Sequence, residues 1–321
     1  MASIADSRVL VTGGAGFIGS AMCGRLAVAC QKVVAYDNLC TGSYSFIEGL
    51  VSSGRIEFVK ADLHDSEKLE SELRRNEISA IVHLAASADV AKGTADTRLD
   101  IDQGTLLTYN VLEAARKCDV RDLLFSSSST VYGIAEKKPT REDYGPLKPI
   151  SLYGASKLAS EGMITSFSHL FGIGYSIYRF ANVTGRNSEH GVIPDFARKL
   201  RANPSELPVL GDGRQRKSYV EVDDCVDAML FGYAKSGSRE NIYNIAADDQ
   251  ITVAEIARIA IETFAPGARI SYSGGEQGWP GDVPDFLLDN SRLKALGFVP
   301  KFRTSGEAVK NAFALLRQGP R

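Results

Sequence analysis

Tyr153 and Lys157 stand four residues apart in Ser151-Leu152-Tyr153-Gly154-Ala155-Ser156-Lys157, a spacing that puts both side chains on one face of a helix. A phenol with an ordinary pKa near 10 is a poor base at neutral pH, but an adjacent ammonium and a cationic ring both favour phenolate. Each unit of depression is worth about 1.4 kcal/mol, so two nearby cations in a dry site can lower it by roughly two or three units. Such a tyrosine removes a hydroxyl proton while hydride leaves for an oxidised nicotinamide. Upstream, Phe125-Ser126-Ser127-Ser128-Ser129-Thr130-Val131-Tyr132-Gly133 ends an apolar run in hydroxyls. Ser128 is the candidate to hold the reacting oxygen and share its proton, with Ser129 and Thr130 as the alternatives. Taken alone, a serine run is an ordinary loop and a Tyr-x-x-x-Lys pair a coincidence of helix spacing.

What joins them is Val9-Leu10-Val11-Thr12-Gly13-Gly14-Ala15-Gly16-Phe17-Ile18-Gly19 at the start of the chain. In this Gly-x-x-Gly-x-x-Gly turn, Gly13 permits the tight bend, Gly16 lets backbone approach a pyrophosphate and Gly19 packs helix against strand. The helix opening at Phe17 and Ile18 offers amide donors and a positive dipole end to the phosphates. About 20 residues on, Ala35-Tyr36-Asp37-Asn38 ends the next apolar run, where a carboxylate accepts from the adenosine ribose and repels a 2′-phosphate. NAD is therefore the expected cofactor. Asp62-Leu63 and Leu84-Ala85-Ala86 follow the third and fourth runs, at carboxyl ends of strands where open parallel sheets bind ligands.

These residues need a scaffold, and the pattern supplies one. Apolar runs at 8–12, 32–36, 56–60, 80–84, 122–126 and 174–179 alternate with helical-period segments at 17–29, 66–74, 105–117 and 153–171. That alternation predicts an α/β doubly wound (Rossmann) parallel sheet over residues 1–181. Beyond Phe180, Pro194, Pro204 and Pro208 break the rhythm. A smaller C-terminal substrate domain is expected from 182–215 and 247–321. Residues 216–246 return to the first domain, and the strand and helix at 219–234 are expected to rejoin the sheet. Helices are expected at 252–264 and 305–316.

The 321 residues carry a net charge of -2, with 44% hydrophobic and 24% charged residues. This suits a full core and lacks the electrostatic footprint of a nucleic-acid binder. Neither a signal pattern nor an apolar run of about 18 residues is visible, so the expected location is cytoplasmic, with no membrane partner. Cys23, Cys30, Cys40, Cys118 and Cys225 are odd in number and lack C-x-x-C spacing, which predicts reduced thiols and no metal site.

The glycine turn, His83-Leu84-Ala85-Ala86, Asn110-Val111-Leu112-Glu113-Ala114-Ala115, the serine run, Tyr153-x-x-x-Lys157 and Arg179-Phe180-Ala181-Asn182-Val183 together resemble the extended short-chain dehydrogenase/reductases. Gly211-Asp212-Gly213, Val222-Asp223-Asp224 and Gly281-Asp282-Val283-Pro284 extend the likeness over essentially the whole chain, in particular to NAD-dependent nucleotide-sugar epimerases and dehydratases. The resemblance implies a nucleoside diphosphate hexose, usually uridine-linked, held over tightly kept NAD. It places Asn182, Lys217, Tyr219 and Asp282 at the sugar nucleotide; Lys92 and Ser128 are further candidate contacts with the sugar, and Phe180 with Tyr153 and Lys157 are candidate contacts with the cofactor. It further implies a homodimer formed through a four-helix bundle of 105–117 and 153–171.

The family's shared step is oxidation of the sugar at C4. Ser126–Thr130 carries no Asp-Glu pair of the kind 4,6-dehydratases use, which favours 4-epimerisation over a 4,6-dehydration. A 5,6-dehydration of the 4-keto sugar remains the alternative, and a non-catalytic NAD-binding sensor a remote third. The departures surround the Tyr-Lys pair. Gly104 stands where 4-epimerases commonly carry Asn, and Gly93 where they often carry Ser. Lys217 stands for a phosphate-gripping Arg, with Arg214 and Arg216 close by, and Trp279 for another.

Overall fold

Runs such as Val9-Leu10-Val11 and Val33-Val34-Ala35 present apolar side chains to both faces of a strand, which suits them only to a sheet covered on both sides. In the computed structural model, which describes residues 4–87, 92–275, 281 and 283–318, they lie in such a sheet. Its strands are β1 (Arg8–Thr12), β2 (Lys32–Asp37), β3 (Glu57–Lys60), β4 (Ala80–His83), β5 (Asp122–Ser128), β6 (Gly174–Phe180) and β7 (Glu240–Ile245). The order is β3-β2-β1-β4-β5-β6-β7, parallel throughout. The order reverses between β1 and β4, and the crevice above that reversal is where open α/β sheets bind ligands.

Alternation along each strand sorts side chains between two cores. Val9 and Val11 face α1 (Phe17–Ala29), while Leu10 faces α2 (Ser66–Arg75), α3 (Leu107–Lys117) and α4 (Leu152–Phe171). α1 contributes Met22, Cys23 and Leu26, all fully buried. Each such side chain is worth about 1.5–3 kcal/mol. Helix α4 begins at Ser151, whose hydroxyl accepts from the Gly154 amide, and stops at left-handed Gly172.

After Thr184, α5 (Val192–Ala202), α6 (Val222–Lys235), α7 (Val253–Phe264) and α8 (Ser305–Gln318) complete the chain. Helix α6 packs on α1, whereas α5, α7 and α8 build a separate core around Phe196, Leu200, Ile256, Val309 and Phe313. Thr252 and Glu255 form a reciprocal cap that starts α7.

Two expectations change. The segment at 219–234 supplies Tyr219–Glu221 and α6, but its strand pairs with Asn182–Thr184 in a small parallel sheet of its own. The strand that rejoins the large sheet is β7, at its edge beside β6. Asn241 and Asn244 hid β7 from a hydrophobic pattern; Asn244 is fully buried because Tyr132, Thr140 and Asp289 satisfy its amide. Helix α3 is also entered differently. Ile101–Leu106 form a π-helical turn, and regular α-helix begins only at Leu107.

Candidate active site

The glycine turn closes between β1 and α1, with Gly13 at φ 67°. A Cβ on Gly13 would press on the Ala85 backbone, and one on Gly19 would collide with the Gly13 carbonyl. Leu84 and Ala85 are brought in by their amides, which donate to Thr12 Oγ1 at 3.2 and 3.3 Å. The small residues after β4 thus serve close approach to the turn itself. Gly16 caps α1 without a side-chain hydrogen bond, so the amides of Phe17, Ile18 and Gly19 keep no partner within the helix. That cradle is shaped for a pyrophosphate at a helix N-terminus.

Asp37 closes the other wall. One carboxylate oxygen accepts from the Ala15 amide at 3.0 Å and the other from Leu39 at 2.8 Å. The group is 8% exposed, so its remaining lone pairs point into a nearly dry corner. Asn38 donates to Asp62 at 2.8 Å, and Tyr36 donates to the Asp62 carbonyl. Leu63 is buried beneath. These residues fit NAD. A carboxylate hydrogen bond to a ligand hydroxyl is worth about 1.5–3 kcal/mol, so Asp37→Ala should weaken NAD binding roughly 10- to 100-fold. It should also narrow the preference over the 2′-phosphorylated form, as read by isothermal calorimetry with both dinucleotides.

At the carboxyl end of β5, Ser128 stands close enough to Tyr153 to lower its pKa and accepts from the Thr130 amide. Of the two alternatives, Ser129 is buried and Thr130 keeps its hydroxyl without a partner among the described residues. Lys157 Nζ donates to the Ser126 carbonyl at 2.7 Å and lies 5.7 Å from the centre of the Tyr153 ring. Ser128, Tyr153 and Lys157 therefore meet at one spot.

Burial pushes the Tyr153 phenol up to about 12, opposed by the neighbouring Ser128 hydroxyl. Burial brings Lys157 down to about 8, with the Glu161 and Asp100 carboxylates pulling it back up. The protein alone thus holds a neutral phenol beside an ammonium that is ready to lose its charge. A cationic ring bound here shifts the phenol back toward ionisation.

Beneath the pair lies a polar network that the sequence reading did not single out. Glu161, one turn beyond Lys157, accepts from Ser127 at 2.5 Å and binds Arg179 through two hydrogen bonds of 2.7 and 3.0 Å. Arg179 also donates to the Tyr132 hydroxyl and the Glu142 carbonyl. Tyr132 passes the chain to Asn244. Burial opposes the Arg179 charge, yet Glu161 outweighs it and holds the guanidinium above its ordinary range. The spacing Tyr153, Lys157, Glu161 was the available signal.

The remaining predicted contacts gather less tightly. Phe180 ends β6 opposite Ser128, buried at 7% exposure. Asn182 pairs in register with Tyr219, whose ring packs into the C-terminal core. Lys217 lies half-buried on a short strand between Ile251–Thr252 and Asp285–Phe286. Arg214 points to solvent, and Arg216 is engaged with Asp285 at 3.2 Å. Asp282 and Trp279 lie outside the described residues, as does the side chain of Lys92.

Residues 9–246 match the model of the NAD dependent epimerase/dehydratase family. A putative UDP-glucose 4-epimerase of Methanocaldococcus jannaschii is 33% identical over 298 residues, covering 91% of this chain and 93% of that protein. The solved UDP-glucose 4-epimerase of Thermotoga maritima with UDP-glucose superposes at a TM-score of 0.87. It is 30% identical and covers 97% of this chain and 99% of its own. The dTDP-glucose 4,6-dehydratase DesIV of Streptomyces venezuelae, solved with NAD, reaches 0.88 at 26% identity, covering 97% of each chain.

Proposed function

Because the chain belongs to the NAD-dependent epimerase/dehydratase family, we propose that it converts a UDP-hexose or UDP-N-acetylhexosamine by transient oxidation at C4, ending in 4-epimerisation. The observation that carries this reading is the meeting of Ser128, Tyr153 and Lys157 at the carboxyl end of β5, in the sheet whose β1 leads into the glycine turn. NAD, when bound, supplies the hydride acceptor and donor. Gly13, Gly16, Phe17, Ile18 and Gly19 hold its pyrophosphate, and Asp37 and Asn38 its adenosine ribose. Asp62, Leu63, Leu84, Ala85, Ala86 and Phe180 wall the crevice.

Ser128 holds the C4 oxygen, and Tyr153 takes its proton and later returns one. Lys157, fixed by the Ser126 carbonyl, lowers the cost of phenolate. Residues 182–215 and 247–321 form the sugar-nucleotide side, with Asn182, Lys217 and Tyr219 as contacts and Lys92 and Asp282 completing them. Residues 1–181 with 216–246 form the cofactor side. The separate core around Phe196 and Phe313 supports that division.

The serine run holds no Asp-Glu pair, and the M. jannaschii and T. maritima UDP-glucose 4-epimerases, at 33% and 30%, stand at higher identity than the solved dehydratase at 26%; both favour epimerisation over dehydration. Incubation with UDP-glucose, UDP-N-acetylglucosamine and their C4 epimers, followed by NMR, tests it. Interconversion of a C4 pair is expected. Loss of water from the product would turn the reading to dehydration, and inertness toward every nucleotide sugar would end it.

The proposed assembly is a homodimer through α3 and α4. Leu106 and Tyr109 stay 41% and 44% exposed, and Leu170 and Phe171 68% and 42%, an apolar surface suited to a four-helix bundle. The proposed location is the cytoplasm, in keeping with five unpaired cysteines and with no described helix long and apolar enough to cross a membrane.

A further inference from the structure

Asp100 is a carboxylic side chain that the chemistry above does not use. It leads the π-helical turn into α3 and is 2% exposed. Its Oδ2 has no hydrogen-bond partner among the described residues. Buried carboxyl oxygens are rarely left so, because each costs about 1–3 kcal/mol or more. The protein also makes room for it. A Cβ at Gly93 would collide with Asp100 Oδ2, and a Cβ at Gly104 would collide with Ser156 Oγ. That Ser156 hydroxyl donates to the Asp100 carbonyl at 2.6 Å and accepts from Thr105 at 3.0 Å. Two of the departures noted in the sequence, Gly93 and Gly104, are thereby explained. Both are spaces that seat the Asp100 turn against the helix bearing Tyr153 and Lys157.

Resting on the reading of Tyr153 as the base, we propose that Asp100 is a positioning residue of the acid–base machinery, a third proton-holding group that sets the charge of the Tyr153 and Lys157 pair. Among the described residues, few charged or titratable groups surround it. Lys157 and Tyr153 come from α4, and both feel its charge. His83, at the end of β4, is turned to Thr12 and Thr108 instead, and burial holds it well below its ordinary range. Arg98 and Asp102, on its own segment, pair with each other at 2.8 Å in solvent. Desolvation raises the Asp100 carboxyl and Lys157 opposes that rise. An ionised Asp100 keeps Lys157 protonated and resists a second negative charge on Tyr153; a neutral one releases both.

The test is the pH profile of kcat/KM for the NAD-loaded enzyme with Asp100→Asn, which keeps the shape and removes the charge. Loss of the carboxylate lowers the pKa of both the phenol and the ammonium. The acid limb and the alkaline limb should therefore both move to lower pH, with Asp100→Glu restoring them toward wild type. Limbs that stay in place while the whole profile merely scales down would make Asp100 structural and overturn the proposal.

Carboxyl 13C NMR of aspartate-labelled unaltered protein gives the same answer without a variant. One buried carboxyl titrating above the ordinary range and in step with Lys157 supports the role; all aspartates titrating at ordinary values overturn it. Tyr153→Phe separates this from the parent reading. If that variant stays active, the parent reading fails. If it is dead while the Asp100→Asn limbs do not move, only the Asp100 role fails.

Discussion

Tyr153→Phe will lower kcat by roughly 10²- to 10⁴-fold, the span that a positioned acid–base group contributes, while leaving NAD binding and the fold unchanged. The change removes one hydroxyl. That oxygen stands near Ser128, on the same face of α4 as Lys157, so no neighbouring group is left buried without a counterpart once Ser128 turns to substrate or solvent. Ser128 cannot replace it as the base, because a serine hydroxyl has no accessible ionisation at neutral pH. The measurement is conversion of a C4 epimer pair, followed by NMR, beside calorimetric NAD affinity. A variant within threefold of wild type would remove Tyr153 from the chemistry.

Arg179→Met will have the largest effect on stability, about 3–5 kcal/mol, the cost of leaving one half of a buried ion pair alone. Side-chain exposures of 4% and 6% leave Arg179 and Glu161 no water to fall back on. Out of a total stability of about 5–15 kcal/mol, such a loss brings the protein near unfolding at moderate temperature. The consequence reaches the site, because Glu161 also takes the Ser127 hydroxyl and supports the Lys157 charge. Pairing Arg179→Met with Glu161→Gln should recover much of the loss, since replacing both members of a buried pair removes the stranded charge. Urea midpoints at constant slope read both variants. A single-variant loss below about 1 kcal/mol, the range of an exposed pair, would show that the network contributes little.

The large sheet was legible because its strands are short apolar runs and its helices have one apolar face; those patterns are local and survive without knowledge of partners. Strand β7 was not, since Asn241 and Asn244 look like turn residues until Tyr132 and Asp289 are placed against Asn244. The π-helical entry to α3 was equally hidden. Its extra residue answers to Ser156 on α4, a contact between segments 51 residues apart.

By itself the sequence determined the reacting pair and the cofactor cradle. Helix periodicity forces Tyr153 and Lys157 onto one face, and a Gly-x-x-Gly-x-x-Gly run between strand and helix has one economical conformation, so spacing along the chain already fixes geometry. The tertiary structure decided which charges surround that pair. Whether Glu161 meets Arg179, and whether Asp100 is dry or wet, depends on how separate elements pack. In a low-dielectric interior that packing, rather than the residue types, sets the field in which Tyr153 and Lys157 exchange a proton.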